Sequence, residues 1–280
     1  MHPRCLEATG ISNEIADLVY IAPLFFGISF IYSSVGFGGG SSYIAILVLF
    51  GISLFAVPPI AQILNIIVAG IAIISFAEAK HLSLKFCLPF LSSVPFAFFA
   101  GSVILPERHL ALIFVLALFA ASAALLLSGI KRGSSRQFEK SQEGIANAKR
   151  SSTLWDTRKI VLIGIPTGAI LGLVAGLVGI GGGIWLSPLI ILTGMADPKR
   201  AAATSSVFIV ANSVSGFLGQ SVSKPIDFAI LLPLALVVLA GGLIGSRLGA
   251  LRFDHEKIRI IVGAIVAVAG VNLMFKFLFA

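Results

Sequence analysis

The sequence predicts an all-α polytopic membrane protein with two inverted repeats of about five membrane segments each and glycine-rich breaks in its helices. Composition is the first reason: 58% of the 280 residues are apolar and only 11% are charged, whereas a soluble domain carries about a quarter charged residues. The second reason is that residues 18–77 contain no Asp, Glu, Lys, Arg or His. The third is that the apolar runs form two sets with the same landmarks in the same order.

The apolar composition excludes an ordinary soluble enzyme, a nucleic-acid-binding protein and a disordered chain, because too few polar residues remain to cover a surface. As one helix, residues 18–77 would be about 90 Å long, and the hydrocarbon core of a bilayer is about 30 Å thick. This run therefore crosses or enters the membrane about three times. A β-barrel would show alternating segments of about ten residues instead.

A basic stretch divides the chain. We assign 1–130 to the first membrane repeat, 131–159 to a linker and 160–280 to the second membrane repeat. The linker is rich in serine and carries eight Lys or Arg against three Asp or Glu. The apolar runs are 18–35, 41–57, 58–77, 86–105 and 109–130, then 160–178, 184–195, 201–223, 226–246 and 258–279.

The two halves share landmarks that indicate an internal duplication. Gly-Phe-Gly-Gly-Gly at 36–40 matches Gly-Ile-Gly-Gly-Gly at 179–183, and each precedes a short apolar run. Asn65 in the next run matches Asn212 in the second half. Internal repeats of this kind are typical of secondary transporters, whose sites lie where the repeats meet.

Charge predicts the orientation of the repeats. If each half crosses five times, sixteen of the twenty Lys and Arg lie on one side. The positive-inside rule then makes the linker cytoplasmic and places both termini outside. If the short runs after the glycines do not cross, the Lys and Arg divide at best thirteen to seven between the two sides, so five crossings per half are favoured. Because five is an odd number of crossings, the second repeat is inverted relative to the first. The acidic flank before the first run is unlike a cleavable signal peptide, so we expect that run to remain as a helix.

The glycine motifs are the leading candidates for a binding site. Consecutive glycines disfavour a helix, and irregular backbone at membrane depth must be buried in protein or line a wet cavity. The helix that begins after each motif would point its free N–H groups and partial positive charge at an anion. The other interpretation is close helix packing, since the glycines also fit a small-xxx-small pattern.

Neutral polar residues near the motifs could complete a cage for an anion. The other interpretation of each Ser and Thr is a hydrogen bond to the preceding turn of its own helix, whereas a buried amide is costlier and recurs in both halves. The predicted substrate-binding residues are Gly38, Gly39, Gly40, Ser41, Ser42, Gln62, Asn65, Gly181, Gly182, Gly183, Thr204, Ser205 and Asn212.

Other chemistry has no residues to carry it. No charged residue is placed deep in an apolar run, which disfavours a proton relay of carboxylates and an arginine clamp on the substrate. No Walker motif or hydrolase motif is present. We therefore expect no enzymatic activity, no cofactor and no metal site.

Three second-half segments carry a resemblance to a known family. They are Gly-Leu-Val-Gly-Ile-Gly-Gly-Gly at 176–183, Ser-Pro-Leu at 187–189 and Lys-Arg-Ala-Ala-Ala-Thr-Ser at 199–205. They resemble the signature of the TauE/SafE sulfite exporter family, also called the 4-toluene sulfonate uptake permease family. The likeness covers almost the whole chain. The first half departs from it, with Ala45 where the second half has Pro188.

The resemblance implies a multi-pass transporter of the bacterial inner membrane that moves a small sulfur-containing anion, with sulfite export foremost. Thiosulfate or an organosulfonate as substrate, and an anion channel of the same fold, remain open, as do a non-transporting subunit and a proton or sodium ion as coupling partner. The small-residue ladder Gly241, Gly245 and Gly249 suggests tight helix packing, with a homodimer contact as one interpretation.

Overall fold

The computed structural model describes residues 20–135, 157–224, 226–251 and 255–279. The N-terminal flank and most of the basic linker lie outside the described residues. All regular structure in the described part is helical. The first half contains α1 (Tyr20–Ser34), α2 (Gly40–Leu49), α3 (Val57–Glu78), α4 (Leu84–Cys87), a 3-10 turn (Leu88–Ser92), α5 (Ser93–Ser102) and α6 (Glu107–Ser135). The second half contains α7 (Thr157–Val178), α8 (Gly183–Leu192), α9 (Pro198–Ser221), α10 (Phe228–Leu251) and α11 (His255–Phe279).

The described part is a multi-pass membrane fold. Seven helical segments in it, counting Leu84–Ser102 as one, are long and apolar enough to cross a membrane. Three apolar helices are shorter, namely α1, α2 and α8. When Leu84–Ser102 counts as one segment, each half thus has five segments in the same order, with its shortest segment in second place. The run at 86–105 differs from the predicted single helix, because α4 passes through a 3-10 turn that contains a proline before α5 begins.

The short helices α2 and α8 end in the same way. Gly51 and Gly194 follow them in the left-handed conformation, with φ of 93° and 71°. Ile52 N–H donates to the Leu47 carbonyl, and Met195 N–H donates to the Ile190 carbonyl, both at 3.0 Å. This is a Schellman cap, which glycine favours because it has no Cβ. The repeated cap supports the duplication inferred from the glycine motifs.

Helices of one half pack on helices of the other through backbone-level contacts. On α10, the ladder Gly241, Gly245 and Gly249 faces backbone atoms of α1 at Phe26, Phe30 and Ser34. On α7, the ladder Gly164, Gly168, Gly172 and Gly176 faces Pro89, Phe90, Ser93 and Ala97 of the segment ending in α5. The α10 ladder therefore packs inside the chain, so its small residues are explained without the homodimer contact that the sequence suggested.

The register of these contacts sets the directions of the helices. Residue numbers increase together along α1 and α10, and along α5 and α7, so each pair runs parallel. The matching helices α3 and α9 run antiparallel, because Gln62 faces Gly216 while Phe76, further along α3, clusters with Ala202 near the start of α9. Helices α6 and α11 pack against each other at the side of this arrangement.

Cation–aromatic contacts hold both ends of α9 to the first half. At its start the Arg200 guanidinium lies 4.8 Å from the centroid of the Phe86 ring, and beyond its end the Lys224 ammonium lies 5.3 Å from that of Phe55. Near the start of α9, burial and then Lys199 lower the pKa of His81. Residues 50–56, 222–224 and 226–227 therefore share one face of the fold, and the 79–83 and 193–199 segments share the other.

Candidate functional site

Both glycine motifs break the helix, as predicted. The first break, residues 35–39, separates α1 from α2, and the second break, residues 179–182, separates α7 from α8. The residues that cap the new helices, Gly39 and Gly182, have φ of 89° and 77°. A side chain is strained at such angles. A Cβ on Gly39 would also lie 2.7 Å from the Tyr43 ring. Each break therefore depends on glycine for its shape.

The two breaks pack across the halves of the chain. Gly36 of the first break lies against the Ala202 backbone at the start of α9. Gly179 of the second break lies against Pro58 at the start of α3, with 2.8 Å from a built Cβ to the proline Cβ. The packing interpretation of the glycines is therefore also correct at these two positions, and the close packing brings the breaks together.

Asn65 joins the two breaks. Its Oδ1 accepts a hydrogen bond from Gly40 N–H at 2.8 Å, and its Nδ2 donates to the Ile180 carbonyl at 3.2 Å. The side chain is fully buried. Gly38 and Gly40 pack so closely on it that any Cβ there would overlap the amide. One amide thus satisfies a helix N-terminus of the first half and a free carbonyl of the second, as buried backbone groups require.

Asn212 does not mirror this arrangement. Its Nδ2 donates to the Phe208 carbonyl one turn back on its own helix at 2.8 Å, and its Oδ1 has no partner among the described residues. Ser213 instead lies beside the second break, with its Oγ 2.9 Å from a Cβ built on Gly181. Gly183 faces Ile209 and the Ser205 carbonyl. The duplicated sequence therefore forms an asymmetric site.

The remaining predicted polar residues divide into bonded and unpartnered groups. Ser42 shares a 2.6 Å hydrogen bond with Tyr32, and the Thr204 hydroxyl donates to the Arg200 carbonyl at 2.9 Å, which is the back-bond that the sequence left open. The buried hydroxyls of Ser41 and Ser205 and both amide atoms of Gln62 have no hydrogen-bond partner among the described residues. Unpartnered buried groups are uncommon, and here they lie on the helices that border the breaks.

Arg259 is buried although it lies at the end of an apolar run, a position from which the sequence predicted no buried charge. It lies in the first turns of α11 and is 0% exposed. Its Nη2 donates to Ser187 Oγ at 3.3 Å and to the Pro198 carbonyl at 3.4 Å. The sequence analysis placed it at the end of an apolar run, where arginine normally reaches the interface. Nothing in the local sequence signals that α8 and α9 cover it.

No group of three His, Cys, Asp or Glu side chains that could hold a metal ion occurs in the described part of the chain. The chemistry that this crossing offers is hydrogen bonding from neutral groups and from two helix N-termini, those of α2 and α8. Such groups recognise an anion without fixing it tightly.

Comparison with known proteins identifies the family. The profile described as Sulfite exporter TauE/SafE matches residues 21–273. The chain belongs to the TauE/SafE family. The family signature predicted from the sequence surrounds the second break, since it covers the end of α7, the first turns of α8 and the start of α9. Its Ser187 is the hydroxyl that accepts from Arg259.

Curated relatives of this TauE/SafE protein are described as transporters. "Probable membrane transporter protein y4hK" of Sinorhizobium fredii is 29% identical over 92% of this chain and 98% of its own length. "Probable membrane transporter protein YunE" of Bacillus subtilis is 28% identical over 42% of this chain and 43% of its own. "Probable membrane transporter protein MamO" of Magnetospirillum gryphiswaldense is 26% identical over 91% of this chain and 44% of its own. No solved structure matches the chain.

Proposed function

We propose that this TauE/SafE protein is a secondary transporter that exports a small sulfur-containing anion, with sulfite as the first candidate, across the bacterial inner membrane. The observation that carries the proposal is the buried crossing of the two breaks, where Asn65 accepts from Gly40 N–H and donates to the Ile180 carbonyl. The family description names sulfite, which makes it the first anion to test.

The donors around the crossing suit a weakly held oxyanion. Sulfite offers hydrogen-bond acceptors, and the unpartnered hydroxyls of Ser41 and Ser205 and the amide of Gln62 can donate to them. No Asp or Glu is among the fully buried residues of the described part, so no carboxylate there repels the anion. Neutral donors and helix dipoles bind less tightly than a charged clamp, as a carrier that must release its substrate requires.

The architecture supports alternating access. Helices α3 and α9, which hold the matching asparagines, run antiparallel across the crossing. This relation supports the inverted repeats that the charge distribution predicts. In such transporters one repeat or bundle moves against the other around the binding site, so that the site opens to one face at a time. The orientation we propose has the linker in the cytoplasm and both termini outside, in accord with the positive-inside rule.

Flux in liposomes tests the proposal. Purified protein is reconstituted, and uptake of radiolabelled sulfite is measured with and without an imposed pH or sodium gradient, with thiosulfate and an organosulfonate as competitors. Saturable uptake that responds to a gradient supports a coupled carrier, and conductance that does not saturate indicates a channel. Folded protein that moves none of these anions would contradict the proposal and favour a subunit role.

Variants at unpartnered hydroxyls test the site without removing a structural bond. Ser41→Ala and Ser205→Ala should raise the half-saturation concentration for sulfite several-fold, because each loses one donor to the anion. Ser122→Ala is the matched control, since Ser122 is a buried serine whose bond to the Gly263 carbonyl joins α6 to α11. Equal kinetics for all three variants would contradict the placement of the site.

A further inference from the structure

A buried polar stripe runs along α9 from the second break to the end of the helix. Ser213, Gly216, Gln220 and Lys224 are three or four positions apart, so they lie on one face. Lys224 follows the last residue of α9, but its N–H donates to the Gln220 carbonyl at 2.9 Å, which continues the turn. Ser213 and Gln220 are fully buried, and Lys224 is 6% exposed.

Each member of the stripe contacts a different part of the opposite wall. Ser213 lies beside Gly181 of the second break. Gly216 faces the Gln62 amide of α3, with 2.6 Å from a built Cβ to Nε2. The Gln220 Nε2 donates to the Gly176 carbonyl of α7 at 2.8 Å. The stripe therefore lies in the seam that α9 forms with α3 and α7, and it begins where the proposed substrate site ends.

The seam contains more hydrogen-bonding capacity than the described residues use. Both amide atoms of Gln62, the Ser213 hydroxyl and the Gln220 Oε1 are buried without a partner. A seam that served packing alone would have apolar or mutually bonded residues, because unpaired polar groups are costly away from water. Intramembrane polar residues of this kind mark substrate pathways.

The outer end of the stripe carries a positive charge. The Lys224 ammonium rests over the face of Phe55, 5.3 Å from the ring centroid, and this contact stabilises a cation. Burial lowers the pKa of Lys224 to about 8, so it is mostly protonated at neutral pH. Residues 50–56, which pack against it, contain no titratable side chain. Its neighbour Asp227 uses Oδ1 to accept from Ala229 N–H at 2.9 Å.

We propose that this stripe is the route by which the anion passes between the glycine breaks and the face that carries residues 50–56, 222–224 and 226–227, with the Lys224 ammonium as an anion-binding station at its mouth. The inference rests on the proposed function and extends it to residues that neither the sequence motifs nor the family signature includes. The ligand class is a small oxyanion or sulfonate, which Gln62, Ser213 and Lys224 can all approach as donors.

Thiol labelling tests the route independently of transport. Ser213→Cys is placed in a background in which Cys5 and Cys87 are replaced by alanine, and the purified protein is treated with methanethiosulfonate reagents of opposite charge. When each rate is divided by that reagent's own rate with a free thiol in solution, the anionic sulfonatoethyl reagent should react about ten-fold faster than the cationic trimethylammoniumethyl reagent, because the ammonium attracts one and repels the other. Lys224→Gln should bring the ratio close to one, and Lys224→Arg should preserve it.

Ser122→Cys in the same background is the control, since Ser122 is buried between α6 and α11, away from the stripe. The route is wrong if Ser213→Cys reacts no faster than this control, because the seam is then dry. The role of Lys224 is wrong if Lys224→Gln leaves the charge preference unchanged. Charge-selective labelling of a protein that moves neither sulfite nor thiosulfate would keep the route and remove the proposed substrate. Sulfite flux by a protein in which Ser213→Cys is not labelled would keep the proposed substrate and remove the route.

Discussion

Replacing Asn65 by alanine should damage the protein far more than the same change at Asn212, although the two residues occupy matching places in the sequence. Asn65 is the only side chain in the described part of the chain seen to bond to both halves at the crossing, through Gly40 N–H at 2.8 Å and the Ile180 carbonyl at 3.2 Å. Asn212 bonds to its own helix.

The magnitude follows from the groups left behind. Asn65→Ala leaves the N–H of Gly40 and the carbonyl of Ile180 buried without this partner, and each such loss costs about 1–3 kcal/mol. The total is therefore about 2–6 kcal/mol of unfolding free energy. In Asn212→Ala the Phe208 carbonyl keeps its place in the helix, and an unpartnered oxygen is removed. That change should cost about 1 kcal/mol or less.

The assay is the free energy of unfolding, measured by titrating SDS into mixed micelles, with sulfite flux in liposomes as the second readout. Asn65→Ala should lose most of its flux as well as its stability, because the brace that holds both helix starts is gone. Equal destabilisation by the two substitutions, or a larger effect at Asn212, would refute the argument that one asparagine braces both breaks.

Packing, charge and topology give further expected outcomes. Gly249→Ala should lower the free energy of unfolding by about 1–3 kcal/mol, because the added methyl group overpacks against the backbone of α1. Gly70→Ala has open space at the added carbon and should be neutral or stabilise the helix by up to about 1 kcal/mol. Unfolding in mixed micelles distinguishes the two variants. The pKa of Lys224 is about 8 in the folded protein and 10.5 ordinarily. Between these pH values the unfolded chain binds more protons than the folded protein, so the free energy of unfolding should rise with pH. This rise should vanish in Lys224→Met. With Cys5 and Cys87 replaced by alanine, an impermeant maleimide applied to intact cells should label Ser53→Cys, and should label Lys80→Cys only after permeabilisation. The opposite pattern would reverse the predicted orientation.

The sequence predicted most of the fold because membrane helices leave a strong signal. Long uncharged runs gave the segments, and glycine motifs followed by short runs gave the two breaks and the short helices α2 and α8. The sequence did not predict the 3-10 turn before α5, since a proline in an apolar run is compatible with a kinked helix as well as with a broken one. The inversion stays a prediction, supported by the antiparallel course of α3 and α9.

The site was predicted in outline, and its asymmetry was not. The Asn65 and Asn212 pair looked equivalent because both follow a break at similar distances. Which amide reaches across depends on how α3 and α9 are rotated in the assembled structure, and that rotation is set by long-range packing. Ser213 was missed for the same reason, because a serine next to an asparagine in a helix carries no sign of which of them faces the break.

The packing between halves indicates which bodies would move during transport. Helix α1 is joined at backbone level to α10, and α7 to α5, by glycine ladders that leave no room for sliding. Each firmly packed bundle therefore contains helices from both halves, α1, α3 and α10 in one, and α5, α7 and α9 in the other. The surface between these bundles is the seam of α3 and α9, which is held by few hydrogen bonds and contains the unpartnered groups of Gln62 and Ser213. Helices α3 and α9 also pack closely on each other, so movement of one bundle against the other at this seam would require these contacts to rearrange as the crossing opens to one face. Each of the two moving bodies would then contain helices from both halves of the duplicated sequence.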